Sequence, residues 1–272
     1  MRKVLLMSVI LAGLSAMPAQ ALWVSGDVSA TDKTKFGSYG NMSTKVYKIA
    51  FGNDIFTAGY KTTDYNFSRY SPIDKLHLLF GDIHYEGSIN TTVGYFVGAE
   101  ATLGWEDEFH VTDNYSLRPR AGFSFVINED FSIQAGVAGD INKAKSRILP
   151  ALALRYRDPS DLGFSAVIGS ENAARYRFNE YVAAEASLAI KNQEVYQLKD
   201  NSVLAHKGYL IEESSNAKLG LIITPLTAFN IRAGVSVDFD RDYKIYNHSG
   251  DKIRTIDTDS NVGGYLNADY NF

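Results

Sequence analysis

The chain alternates apolar and other residues over stretches much longer than one or two turns of a helix. In "VGYFVGAEATLGW" (93–105), the odd-numbered positions carry the larger apolar side chains, and the even-numbered positions are mostly small or polar. The stretch "FNIRAGVSVDFD" (229–240) behaves in the same way. A period of two is typical of a β-strand, whereas a helix places apolar residues at steps of three and four. These runs also reach the ~9–11 residues that a tilted strand needs to cross a membrane.

The connections between the predicted strands alternate between short and long. Short breaks rich in Asn, Asp, Gly or Pro fall at 53–54, 86–88, 128–130, 159–161, 179–180 and 225–227. Mostly longer polar connections lie between them, at 32–42, 66–74, 106–114, 141–145, 200–207 and 247–259, with a shorter one at 171–173. This habit is typical of outer-membrane barrels, which have tight periplasmic turns and longer extracellular loops. The sequence therefore predicts an all-β, transmembrane, up-and-down antiparallel β-barrel of about 14 strands. If "LGFSAVIG" (162–169) and "ARYRFN" (174–179) do not both cross, the number is 12.

Both ends of the chain fit an exported barrel. Arg2 and Lys3, an apolar run over 4–16 and the small residues around Ala21 predict a signal peptide over 1–21, leaving one barrel domain over 22–272. The segment "GYLNADYNF" ends the sequence as an amphipathic strand. It resembles the C-terminal signature by which the bacterial barrel-assembly machinery recognises its substrates, and the matching residues are Leu266, Ala268, Tyr270 and Phe272. An open sheet edge is costly in hydrocarbon, so this strand is expected to pair with the first one.

Composition narrows the expected partners. The formal net charge is −4, and it becomes −6 once Arg2 and Lys3 are removed with the signal peptide. Without a basic block, nucleic acid is not an expected partner. There is no cysteine, which excludes disulfides and thiolate metal ligands. The expected partners are outer-membrane lipid and lipopolysaccharide, the barrel-assembly machinery and small polar solutes.

One family resemblance supports the barrel. The segment "RPRAGFSFVINEDFSIQAGV", followed by "ILPALALRYRDPSD", resembles a family of uncharacterised outer-membrane β-barrel proteins of Gram-negative bacteria. The resemblance covers about the middle and C-terminal two-thirds of the chain. It implies the fold and a location in the cell outer membrane. It implies no activity and no catalytic residue.

The alternation also predicts which charges face the lumen. A basic side chain facing lipid at the bilayer centre costs about 2–4 kcal/mol, so charges opposite the apolar face are expected to point inward. The candidates for the pore lining are Arg118, Arg120, Arg155, Arg157, Arg175, Arg177, Glu100, Glu185, Asp238 and Asp240. Two arrangements remain open: facing basic and acidic walls around water, or charges that pair across a filled lumen. Inward glycines favour an open or partly occluded pore.

The resulting hypothesis is a passive channel or transporter for small polar solutes, and two alternatives remain. One is a non-conducting structural or surface-binding barrel, and a less favoured one is a lipid-modifying enzyme. For the enzyme, His248 beside Ser249 lacks an orienting partner. Asp238, Asp240 and Asp242, with Asp257 and Asp259 at the approach to the next strand, offer oxygen ligands for Ca²⁺. Same-face carboxylates of a strand lie about 7 Å apart, which is too far for one ion unless a loop contributes. No catalytic residue, resident metal or cofactor is predicted.

Overall fold

The computed structural model describes residues 22–106, 109, 115–143, 146–169 and 172–272. The expected signal peptide over 1–21 lies outside the described residues. None of the described residues forms a helix long and apolar enough to cross a membrane.

Period-two alternation produces strands in nearly all of the described chain. The strands are β1 (Trp23–Thr31), β2 (Thr34–Lys35), β3 (Asn41–Gly52), β4 (Phe56–Phe67), β5 (Leu76–Ser88), β6 (Val93–Trp105), β7 (Tyr115–Asn128), β8 (Phe131–Asn142), β9 (Ser146–Tyr156), β10 (Gly163–Ile168), β11 (Asn172–Arg177), β12 (Val182–Gln197), β13 (Tyr209–Leu226), β14 (Phe229–Tyr246), β15 (Lys252–Thr258) and β16 (Asn261–Asn271). A 3₁₀ turn spans Gly37–Tyr39.

Fourteen of these strands form a closed, antiparallel, up-and-down barrel, which confirms the predicted fold. The two others, β2 and β15, are short additions that pair with β3 and β14 at the end of the barrel that carries the longer loops. Closure occurs between β1 and β16, where Trp23 lies opposite Asn271 and Thr31 opposite Gly263. The last strand therefore pairs with the first, as an edge-free sheet requires.

The wall is low at β10 and β11, which have six residues each. Both strands belong to the barrel, so the number of strands is 14 and not 12. Only three residue pairs, 154–156 with 166–168, join β9 to β10. Above them, residues 146–153 of β9 pair with β8, and no ladder pairing occurs on their other edge within the described chain. We call this low stretch of the long-loop rim the notch.

The outer face of the barrel is apolar, as expected for a surface that contacts lipid. Large apolar side chains point outward from every side of the wall, among them Ile49, Ile83, Val137, Leu152, Leu221 and Leu266. Aromatic side chains collect toward the short-turn end, where the rings of Tyr85 and Tyr95, Tyr156 and Phe164, Tyr176 and Phe178, and Tyr270 and Phe272 contact one another. An apolar band bordered by aromatic residues is the usual exterior of a transmembrane barrel.

The inner side departs from a simple cylinder at the long-loop end. The strands β12 and β14 bend at Lys191 and Asp240, whose backbone φ angles are 49° and 53°. The register shifts between β12 and β13 and between β13 and β14 occur beside these residues, as at β-bulges. Beyond the bends, residues 191–197, 209–213 and 241–246 form adjacent strands of a small sheet across the barrel mouth, and β15 pairs with 241–246 as its fourth strand. We call the three segments the arch.

Candidate functional site

The lumen wall below the arch is lined by ion pairs between nearby strands. Glu100 and Arg118 face each other across β6 and β7, with 3.1 Å between Oε1 and Nη1. Arg175 and Glu185 are opposite each other on β11 and β12 and form a pair of 2.5 Å. Acidic and basic groups are therefore interleaved on the same wall, which differs from an arrangement of facing walls of opposite sign.

Two more inward pairs continue this pattern. Arg120 donates from Nη2 to Oδ2 of Asp82 at 2.8 Å, and Arg232 lies 3.3 Å from Asp269. These side chains are not sealed from solvent: the pair of Arg120 and Asp82 is 30% and 24% exposed. The inner wall therefore carries charges that are accessible to water, and the outer wall carries apolar groups.

The remaining predicted arginines lie at the short-turn end. Arg155 is exposed and forms no ion pair within the described chain, while Arg157 lies 3.6 Å from Asp130. Arg177 donates to the backbone carbonyls of Pro159 and Glu180. At this opening of the lumen, the basic groups are therefore paired more weakly than those in the middle of the lumen.

Asp158 accompanies these arginines in the turn after β9. The Ser160 hydroxyl and backbone N–H donate to its carboxylate at 2.6 and 2.8 Å. These bonds lower the pKa of Asp158, and the positive charges of Arg155 and Arg175 lower it further. Its carboxylate therefore stays charged beside the basic groups.

The arch reaches the opposite wall of the barrel. Gln197 at its end pairs in parallel with Trp105 of β6, and the backbone N–H of Glu106 donates to the Gln197 carbonyl at 3.0 Å. Glu194 forms an ion pair with Lys61 of β4, at 2.7 Å from Nζ to Oε1. Arg118 donates to the backbone carbonyl of Gln193. The arch is therefore held on the far wall by both backbone and side-chain contacts.

Glu106 fastens the end of the arch, and it is absent from the candidates that the sequence indicated. Its side chain is buried, and its two oxygens accept the backbone N–H groups of Asp74 and Lys199 at 2.9 and 3.0 Å. One carboxylate thus joins the loop after β4, the top of β6 and the end of β12. The alternation of β6 could have identified Glu106, because it continues the even-numbered, inward-facing series of Glu100, Thr102 and Gly104.

Gly104 allows the arch to approach the wall. A Cβ atom at this position would lie 2.1 Å from the backbone carbonyl oxygen of Val195. Only a residue without a side chain permits two backbones to come this close.

The two faces of the arch differ in character. One face packs into an apolar cluster with the long-loop ends of the strands of the first half of the chain. The cluster consists of Phe36, Met42, Ile73, Leu76, Leu78, Tyr196, Leu198, Leu204, Ala205, Leu210, Tyr243, Ile245 and Ile256. The other face carries Gln193, Glu213 and Lys244 and borders a cavity of about 260 Å³ against β8 and β9. The mouth is therefore filled on one side of the arch and hollow on the other.

The two aspartates predicted on β14 have different environments. Asp238 is buried and accepts a hydrogen bond of 2.8 Å from Arg241. Asp240 is exposed at the bend itself. The bulge reverses the inward and outward positions beyond it, so Tyr243 and Ile245 are buried and Arg241 is only 12% exposed, although simple alternation places all three outside. In β14, the alternation in the sequence therefore predicts correctly which residues face inward only up to this bend.

The alternative chemistries find little support. The His248 ring nitrogen Nδ1 lies 3.3 Å from the Lys207 carbonyl, in an exposed loop. Among the described residues, no group of three or more His, Asp or Glu side chains is arranged to hold a metal ion. The structure therefore adds nothing that favours a hydrolytic centre or a calcium site in this part of the chain.

The four residues of the predicted assembly signal lie at the end of β16 or directly after it. Leu266, Tyr270 and Phe272 are exposed outward, and Ala268 is half-buried opposite Gly26. The N–H of Phe272 donates to the Leu22 carbonyl at 2.7 Å. The segment is thus an amphipathic strand at the closure of the barrel, and its recognition by the assembly machinery stays a prediction.

No protein-family model matches the chain, and no curated protein matches it. Solved structures that resemble it include an outer membrane channel from Pseudomonas putida F1, with a TM-score of 0.45 and 11% identity over 94% of this chain and 97% of that one. The NanC porin has a TM-score of 0.41 and 8% identity, with coverages of 92% and 98%. The translocator domain of the autotransporter NalP from Neisseria meningitidis has a TM-score of 0.40 and 9% identity, over 99% of this chain and 95% of that one. None of these identities is high enough to indicate a shared function.

Proposed function

We propose that this protein is an outer-membrane channel that lets small polar solutes cross passively. One observation carries the proposal. The closed barrel is apolar outside, and its inner wall is lined by charged side chains that remain accessible to water, such as Arg118 and Glu100 at 27% and 33% exposure. Charged groups around a hydrated lumen stabilise polar solutes and exclude apolar ones. The signal peptide and the C-terminal assembly signal are part of this proposal, since both are needed for delivery to that membrane.

The arch sets an upper limit on solute size. It fills one side of the mouth with apolar side chains, so the route to the extracellular solution runs along its polar face, beside β8 and β9. A route confined to one side of the mouth favours ions and small molecules over oligomers. The wall charges then supply successive weak contacts along the lumen, which suits passive diffusion.

A non-conducting surface barrel is the second candidate, and the apolar cluster favours it. Thirteen buried apolar residues at the mouth are more than a wide pore needs, and they rigidify the end that carries the longer loops. In this alternative the loops bind a partner and the lumen carries no flux. The two functions differ in one measurable property, which is permeability.

Liposome swelling distinguishes them. Residues 22–272 are refolded into vesicles, and swelling is followed in isotonic solutions of glycine, glucose and a trisaccharide. The proposal predicts rapid swelling with glycine, slower swelling with glucose and none with the trisaccharide. Vesicles that remain as tight as protein-free ones, with protein shown to be folded by heat-modifiable gel mobility, would favour the non-conducting barrel.

A further inference from the structure

A cavity lined mainly by polar and charged side chains lies on the polar face of the arch. It measures about 260 Å³ and lies between the long-loop ends of β8 and β9 and the arch. Asn142 and Arg147 line it from the wall, and Lys191, Gln193, Glu213 and Lys244 line it from the arch. It is large enough for several water molecules or one small solute.

The cavity has an excess of positive charge. Three of its lining side chains are cationic, Arg147, Lys191 and Lys244, and one is anionic, Glu213. Lys244 is paired with Glu213 at 2.9 Å. Arg147 pairs with Asp140 just outside the cavity at 3.1 Å, and Arg118, which lies 3.8 Å from the same aspartate, is closer to Glu100. Of the three lining cations, Lys191 is therefore the one whose charge is not balanced by a carboxylate of the described chain.

Lys191 is the cation whose charge is free for a ligand. It lies at the bend of β12, its side chain is exposed, and its ammonium contacts no carboxylate within the described chain. Its backbone N–H is fixed by the Ser215 hydroxyl at 3.0 Å, which holds the residue at the edge of the cavity.

Polar groups beside these cations are already oriented. Gln193 accepts from Arg147 Nη2 at 3.0 Å and donates to Glu213, so its amide position is set from both sides. An anion in the cavity would meet a guanidinium and an ammonium whose surroundings are built before it arrives. The Arg147 guanidinium is held in place by Asp140 and Gln193, and the exposed Lys191 ammonium beside it adds a second positive charge; charge-assisted hydrogen bonds of this kind bind carboxylates and phosphates well.

We infer that this cavity is a binding site for a small anion, a carboxylate or phosphate, at the entrance to the channel. The inference rests on the proposed function, because it places the site on the polar route past the arch. Arg147 and Lys191 bind the anion, and Lys244 contributes longer-range attraction. The interleaved cations of the wall then receive it below the arch. A lipopolysaccharide phosphate has the same chemistry, so the test separates the two sources.

The test compares charge variants at one position. Wild type, Lys191→Gln and Lys191→Glu are refolded into planar bilayers free of lipopolysaccharide, with Lys33→Glu, an exposed loop lysine outside the cavity, as the matched control. In a KCl gradient the wild type is expected to prefer chloride, the Gln variant less so, and the Glu variant least. Inorganic phosphate at millimolar concentration is expected to reduce the wild-type chloride current, and Lys191→Glu to need about tenfold more of it. Lys33→Glu is expected to match the wild type.

Each outcome bears on one of the two claims. If the protein conducts but its ion selectivity and its block by phosphate are the same in the Lys191 variants as in the wild type, the anion site is disproved and the proposed channel function is unaffected. If the folded protein does not conduct, the channel fails, and titration calorimetry with phosphate in lipopolysaccharide-free detergent decides the site. Phosphate binding that weakens about tenfold in Lys191→Glu supports it. Binding of purified lipopolysaccharide without any binding of phosphate would contradict it.

Discussion

Gln197 of β12 pairs with Trp105 of β6, although β7 to β11 separate these two strands along the barrel wall. This contact spans the mouth and turns a hollow cylinder into a barrel with one filled side and one polar side. The proposed route for solutes follows from this division, because buried apolar side chains pack together on the filled side. The stability of the arch should therefore control permeability.

Gly104 is the most direct place to displace the arch. In Gly104→Ala, the new methyl group meets the Val195 carbonyl oxygen, and overpacking of this kind costs about 1–3 kcal/mol. We expect the arch to leave the wall more often and single-channel conductance to rise. The matched control is Gly81→Ala on β5, where the nearest atom to the new methyl group is 3.9 Å away, and its conductance should equal that of the wild type. A Gly104→Ala channel that is unchanged would show that the arch does not limit flux.

Glu106 should act through the two amides that it accepts. Glu106→Ala leaves the N–H groups of Asp74 and Lys199 without these bonds, at a cost of about 1–3 kcal/mol each. Hydrogen exchange at these two amides should accelerate by at least about fivefold, while exchange in the mid-wall strands stays the same. The exposed turn residue Glu129 provides the control, since Glu129→Ala should leave both amides protected. Unchanged exchange in Glu106→Ala would contradict the anchoring role.

The ion pair of Lys61 and Glu194 should be strongly coupled, because both side chains are mostly buried, at 19% and 18% exposure. Lys61→Met and Glu194→Gln should each lower the free energy of unfolding, and the double variant should lose less than their sum. We expect a coupling energy of about 1–3 kcal/mol, measured by urea unfolding in vesicles. The exposed pair of Lys75 and Asp64 should show no measurable coupling in the same cycle. Additive effects at Lys61 and Glu194 would mean that the pair does not hold the arch.

The outward and inward faces of β8 should respond differently to one basic residue. Val137 is 56% exposed on the outer face, and Val137→Arg should lower the free energy of unfolding in vesicles by about 2–4 kcal/mol. Gln134 on the same strand faces the lumen and donates to Glu86 at 3.2 Å, so Gln134→Arg gains an ion-pair partner and should be nearly neutral. If Gln134→Arg lowered the free energy of unfolding more than Val137→Arg does, the assignment of the lipid-facing and lumen-facing sides of β8 would be wrong.

The strands and the two faces were predictable from the sequence because each follows from a local period of two. The pairing of Glu100 with Arg118 was also within reach, since both were predicted to face inward from neighbouring strands. Strand length gave a hint of the arch, as β13 and β14 have 18 residues where about 9–11 suffice to cross a membrane. The surplus predicts an extension beyond the bilayer.

The direction of that extension was not predictable. It depends on bends at Lys191 and Asp240, where the backbone takes a positive φ that is uncommon for any residue other than glycine, although Asp adopts it more often than most. The bends persist because Tyr243 and Ile245 are buried in a cluster assembled from distant parts of the chain. Local pattern cannot report such a cluster, and the bulge reverses the face of every residue after it.

The most direct test of the central claim is the single-channel conductance of refolded residues 22–272 in a planar lipid bilayer. A channel should give steady, small conductance steps in the wild type, and larger steps when Gly104→Ala displaces the arch. Silence from both proteins, each shown to be folded by its heat-modifiable gel mobility, would instead identify the barrel as a closed scaffold.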